Sequence, residues 1–126
     1  IHSNSCEATY RRMVSLCKRA VDMSDETLMG YVTEAYPIIV FCKQLENKQR
    51  RVMEIMECEI LPDGSRNFRP LFQYAITENR IENGRFIVDG RHGSVQGISP
   101  GLQKRFLENG MPQDTLKRIL KIGGAV

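Results

Sequence analysis

The sequence predicts a mixed α and β domain, and three stretches carry that prediction. From Glu7 to Val21, Tyr10, Met13, Val14, Leu16, Cys17 and Val21 fall on one side of a helix, with Arg11, Arg12, Lys18 and Arg19 mostly on the other. Pro37 to Cys42 is a run of β-branched and aromatic residues opened by a proline, which suits the first position of a strand and not a helix interior. Asn83-Gly84 lies between apolar runs and signals a tight hairpin, whose two central residues need positive φ. Helices, then strands, then helices make a mixed layout, and 126 residues with 41% hydrophobic content suffice for one domain with a real core.

The elements follow in order. Ser3, Asn4 and Ser5 can cap the first helix by accepting bonds from its free N–H groups. Met23-Ser24-Asp25 breaks that helix, and Ser24 starts a second one that carries Leu28, Met29, Val32 and Ala35 inward and ends at Tyr36 because Pro37 follows. Pro37 to Cys42 reads as a buried strand. Val52, Ile55, Met56 and Ile60 fall at helical spacing among good helix formers, so local propensity leaves the segment after it open between helix and strand. Pro62-Asp63-Gly64-Ser65 is a turn. Leu71 to Thr77 and Arg85 to Val88 are strands on either side of Glu82-Asn83-Gly84. Gly90 to Gly101 reads as a glycine-rich loop holding His92. Leu102 to Leu120 forms two short helices split at Gly110-Met111-Pro112, where glycine ends one and proline opens the next. Gly123 and Gly124 are expected to end the ordered chain.

Composition excludes several classes. Eighteen basic and fifteen acidic residues give a net charge of +3, scattered along the chain, too weak and too mixed to argue for a nucleic-acid partner. No apolar run approaches the ~20 residues that a membrane span needs. Cys6, Cys17, Cys42 and Cys58 form no C-x-x-C pair, so they read as reduced thiols of a cytoplasmic protein, with Cys42 a small buried hydrophobe. The phosphate loop G-x-x-x-x-G-K-S/T, the G-x-S-x-G elbow, H-E-x-x-H and the dinucleotide glycine fingerprint are all absent from the sequence. His92 reads as an exposed turn histidine. Were the central segment a strand, Glu54 would face away from Glu57 and Glu59, so the three read as solvated or ion-paired glutamates and not as an acid–base set.

His2 stands apart. Ile1-His2-Ser3-Asn4-Ser5, with Arg12 of YRRMVSL ten residues after the histidine, resembles the histidine box of the type II/type IV secretion ATPases, where a T-x-H-A/S-N-S/T segment precedes a helix bearing an R-L or R-M pair. EAYPIIVFCKQLENKQRRVMEIMEC resembles the family's apolar strand, polar turn and R-R-V-x-x-I-x-E. Leu71-Phe72-Gln73-Tyr74 is similar to its L-F-x-F/Y. Gly97-Ile98-Ser99-Pro100 with Phe106-Leu107 and Gly110 resembles its closing G-x-x-P, F-L and G. The four motifs keep the family's order and span nearly the whole chain, with the Tad-pilus and type IV secretion ATPases the nearest branch.

The resemblance implies an α/β fold: the C-terminal portion of a RecA-like P-loop ATPase domain, mainly antiparallel strands flanked by helix pairs, with residues 1–126 one partial domain from the histidine box onward. It makes Arg51 to Cys58 a strand paired with Pro37 to Lys43. The phosphate loop and Walker B acid would lie ahead of Ile1, so no catalytic residue is expected in this chain, which by itself should not hydrolyse ATP. His2 would be close to the nucleotide in the full-length protein, and Arg12 and Arg51 match arginines that contact phosphate or a neighbouring subunit. ATP and Mg²⁺ are the cofactors implied for the full-length protein. The implied partners are its own N-terminal domains, neighbouring subunits of a homohexamer and an inner-membrane platform protein, at the inner face of the membrane. A non-catalytic docking module is the alternative. Loss of neighbouring strands would also expose a sheet edge open to dimerisation.

Overall fold

A computed structural model describes residues 1–122. Two helices come first, α1 (Cys6–Cys17) and α2 (Asp25–Ala35), then four strands, β1 (Ile38–Gln44), β2 (Arg50–Ile60), β3 (Arg66–Glu82) and β4 (Arg85–Ser94), then α3 (Pro100–Glu108) and α4 (Gln113–Ile122). Gly123 and Gly124 lie outside the described residues. The strands form one curled half-barrel sheet in the order β1-β2-β3-β4, every neighbouring pair antiparallel.

That topology overturns the RecA-like α/β expectation. A RecA-like sheet is parallel, and parallel neighbours need a crossover of a dozen or more residues. Here the loops 45–49, 61–65 and 83–84 are reversals that can only return the chain alongside itself. Leu61 N–H donates to Ser65 O at 2.8 Å, and Asn83 and Gly84 both take positive φ, 50° and 73°, as a two-residue hairpin turn demands.

The helix caps are the serines that the sequence offers. Ser5 Oγ accepts from Ala8 N–H at 3.0 Å, and Ser24 Oγ from Thr27 N–H at 3.1 Å. α1 and α2 cover one face of the sheet. Cys6, Tyr10, Val14, Leu28 and Val32 pack there on Met56 and Cys58 of β2, with Ile39, Phe41 and Phe68 around them. On the other face, Ile38, Ile55 and Phe72 meet Phe106, Ile119 and Leu120 of α3 and α4 around a cavity of about 280 Å³.

β2 is a strand because it is paired on both edges and covered on both faces. A strand of that kind shows no alternation of polar and apolar residues, so its apolar positions imitate a helix. β1 is not the buried strand its composition suggests. It is an edge, Val40 is 53% exposed, and Cys42 lies exposed beyond the irregularity between Phe41 and Cys42. The glycine-rich loop is likewise corrected, since residues 90–94 continue β4. Gly90 is there because the Tyr74 ring lies across it: a Cβ would stand 2.6 Å from both Ala75 O and Tyr74 Cζ.

Among the described residues no helix is long and apolar enough to cross a membrane. The four thiols are free. Burial pushes the Cys6 thiol up to about 12, helped by the Glu54 carboxylate beside it, and burial raises Cys58 as well. A thiol-specific reagent at neutral pH is therefore expected to modify Cys42 first, and Cys6 and Cys58 only after unfolding. Mass mapping of the native protein checks this; early modification of Cys6 would contradict the burial described.

Candidate functional site

Residues 1–5 run up to the start of α1, and Ser3 Oγ donates to Ser5 O at 3.1 Å. Ala8, Arg11, Arg12 and Ser15 recur at the spacing of one helix face. His2, Ser3 and Asn4 lie against that face, and together these residues line an open cleft of about 540 Å³. His2 and Arg12, matched by motif alone in the sequence, thus share one cavity. Arg11, which the motif comparison did not single out, is a third cation there.

The cleft is a set of donors: an imidazole, two guanidiniums, the Asn4 amide and serine hydroxyls. Arg11 is partly engaged, its Nη1 lying 3.3 Å from Glu7 Oε1 across one helical turn. Among the described residues Arg12 forms no ion pair. Such a surface can receive the oxygens of a phosphate or another anion. It does not fit Mg²⁺, a hard cation that takes oxygen ligands and usually one or two carboxylates, because no carboxylate lines the cleft. Among the described residues no group of His, Cys, Asp and Glu is gathered to hold a metal.

Arg51 is placed elsewhere. At the start of β2 its guanidinium lies 6.0 Å from the centre of the Tyr74 ring and donates to Gln49 Oε1, and it is not among the walls of the His2 cleft. His92 is no turn residue. It stands opposite Tyr74 in the β3–β4 ladder, ring centres 4.8 Å apart, with Nε2 3.0 Å from Val52 O.

The glutamates of β2 divide as the alternation of a strand requires, and Glu59 is ion-paired as expected, but Glu57 is neither solvated nor ion-paired. Glu57 is 2% exposed. Its Oε2 accepts from Ser99 N–H at 2.8 Å and its Oε1 from the Ser99 hydroxyl. That hydroxyl also caps α3 by accepting from Leu102 N–H at 3.1 Å. Glu59 pairs with Arg69 at 3.1 Å, and Arg69 Nη1 donates to Gly97 O at 3.1 Å. No histidine joins the Glu57–Ser99 pair, so it is a fastening between sheet and α3 and not an activated hydroxyl. The sequence reading missed it because a carboxylate in a strand shows no sign of the serine, 42 residues away, that will cover it.

No model of a known protein family matches the chain, and no curated protein matches it significantly.

Proposed function

We propose that the chain is the C-terminal part of a hexameric ATPase that powers pilus assembly or protein or DNA secretion, and that its His2–Arg12 cleft faces the terminal phosphate of ATP in the full-length protein. The observation that carries the reading is the meeting of His2 and Arg12, two positions paired by the motif resemblance, in one donor-rich cleft. The chain holds no phosphate loop, so catalysis would need sequence upstream of Ile1 to supply the loop, the Walker B acid and the groups that hold Mg²⁺. In such a motor His2 and Arg12 would neutralise charge on the phosphate and tie α1 to the nucleotide state. Its partners would be the N-terminal domains of its own protein, the neighbouring subunits of the hexamer and a membrane platform protein, on the cytoplasmic side. A second reading, a non-catalytic module that docks on such a motor or platform, is favoured by the outer edge of β1, which pairs with no strand among the described residues.

The test compares ATP turnover by this chain with turnover by the same protein extended upstream through any phosphate loop that its gene encodes. The fragment is expected to be inert and the extended protein active. His2→Ala or Arg12→Ala should slow the latter at least about tenfold, equivalent to about 1.4 kcal/mol of barrier. An extended protein that is folded and hexameric yet inert, or one indifferent to both substitutions, defeats the motor reading and leaves the docking module.

A further inference from the structure

α3 and α4 sit on the sheet differently from α1 and α2. Beneath α1 and α2 the contact is continuous: Cys6 and Tyr10 are fully buried, and Val14, Leu28 and Val32 close in on β2. Of the described side chains of α3 and α4, only Leu102 and Leu116 are buried. Their contact with the sheet runs between two spaces. One is the apolar cavity of about 280 Å³, bounded by Ile38, Ile55 and Phe72 of the sheet and by Phe106, Ile119 and Leu120 of the helices. The other, about 720 Å³, lies between the end of β2 and the first turn of α3. Side chains that face a space lack the dispersion contacts of a filled core, so this layer is held less tightly than the one opposite.

What fastens α3 to the sheet is polar. Val95 N–H, donating to Leu71 O at 2.9 Å, ties the exit of β4 to β3. Residues 96–98 then run along the wall of the apolar cavity, and Ser99 clasps Glu57 through both its N–H and its hydroxyl. Arg69 adds a bond to Gly97 O at 3.1 Å. Among the described residues no cation pairs with Glu57, which is 2% exposed. A carboxylate held in this way gives up its hydration for two hydrogen bonds, a loss that the positive end of α3 offsets in part. Opening the contact returns it to water. The clasp is therefore specific in geometry and weak in net free energy.

We propose that α3–α4 is a lid: hinged at residues 96–98 and latched by Ser99 on Glu57, it swings off the sheet as one unit and uncovers Ile38, Ile55 and Phe72, while α1, α2 and the four strands stay folded. The two helices move together because the turn between them is bonded, Met111 N–H donating to Phe106 O at 2.9 Å and Gly110 N–H to Leu107 O at 3.1 Å. The sheet holds without them because its four strands are paired in one ladder and its other face carries the filled core. Opening gives up the contacts of one layer only, so its free energy lies below that of global unfolding. The lid shares no residue with the His2–Arg12 cleft.

Native-state amide exchange of the 126-residue chain, followed by NMR, tests it. In the parent, the amides of α3 and α4 are expected to exchange as one group, at least about tenfold faster than the slowest amides of α1 and β2 and with a weaker dependence on urea. Ser99→Ala removes half of the latch and should speed that group at least about tenfold further. Tyr10→Phe weakens the opposite layer, which is intact whether the lid is closed or open. It should speed the α1 and β2 amides at least about fivefold and leave the α3–α4 group unchanged. Where Ser99→Ala does not fold, Arg69→Lys takes its place with the same expected direction, since lysine keeps a cation beside Glu59 but loses the fork that reaches Gly97 O. A parent whose α3–α4 amides exchange together with those of α1 and β2, or a Tyr10→Phe protein in which both groups speed up equally, overturns the lid. So does a latch variant that speeds only the amides next to residue 99, which is fraying of one helix end.

Discussion

Replacing Ser99 with alanine is expected to destabilise the fold by about 2–4 kcal/mol, although serine to alanine is a small change and Ser99 does not line the candidate cleft. The Ser99 hydroxyl makes two bonds. It caps α3 through Leu102 N–H, and it donates to the carboxylate of Glu57, which is 2% exposed. Loss of a serine cap costs about 0.5–2 kcal/mol, and loss of a hydrogen bond to a buried charge about 1.5–3 kcal/mol. The Ser99 backbone N–H still reaches Glu57, which limits the damage. Urea unfolding should show the midpoint falling by about 1–2 M for a slope typical of a domain this size. Ser99→Asp separates the two contributions. As a cap, aspartate is as good as serine, but here it would set a second carboxylate against buried Glu57, so it is expected to be worse than alanine. A Ser99→Asp protein as stable as the parent would show that the Glu57 bond contributes nothing and that capping alone holds α3.

The same fastening shows where sequence reasoning stops. α1 and α2 were legible because a helix on one face of a sheet writes its burial as a 3.6-residue period and its start as a serine. The 83–84 turn was legible because positive φ at two successive residues restricts the choice to a few types. β2 was not legible from its local pattern, since burial on both faces erases the alternation that marks a strand; the motif resemblance alone made Arg51 to Cys58 a strand paired with Pro37 to Lys43, and that pairing is present. β1 was misjudged in the opposite sense. Its apolar run describes the composition of a core strand, but whether a strand is central or at an edge depends on what pairs beside it, and nothing local records that. The glycines of 90–94 imitate a loop, whereas Gly90 is a packing requirement set by the Tyr74 ring. At the candidate cleft, Ala8, Arg11, Arg12 and Ser15 announce their shared face by spacing. The placement of Arg51 away from it depends on the β2 ladder. The RecA-like domain failed although its strands were expected to be mainly antiparallel, because short connections throughout make the sheet wholly antiparallel and leave no parallel pair of the RecA-like kind.

Tyr10→Ala should cost more than any other single truncation in the α1–α2 layer, about 3–5 kcal/mol for removal of a fully buried aromatic side chain. Tyr10 is 0% exposed, its ring centre lies 5.9 Å from that of Phe68, and its hydroxyl donates to Tyr36 O. Tyr36 joins α2 to β1, so this one side chain ties α1 to the junction between the second helix and the sheet. Tyr10→Phe keeps the packing and leaves the carbonyl without the hydroxyl, at about 1–3 kcal/mol. The two variants also differ from the parent at high pH. Burial, reinforced by the neighbouring Cys58, Cys6 and Glu57, raises the Tyr10 phenol above its ordinary 10.0. The native state therefore keeps a proton that the unfolded state gives up. Stability is fully present below the unfolded value and falls as pH rises from there toward the native value, by up to about 1.4 kcal/mol per pH unit for each such group. Cys6, raised from 9.0 to about 12, adds a decline of the same sign that begins about one unit lower. Thermal unfolding between pH 8 and 11 should show the parent losing stability in this order, and Tyr10→Phe should start lower but fall less steeply above pH 10. Parallel curves for parent and Tyr10→Phe would mean that the phenol does not contribute to the alkaline decline, leaving the buried thiols to account for it.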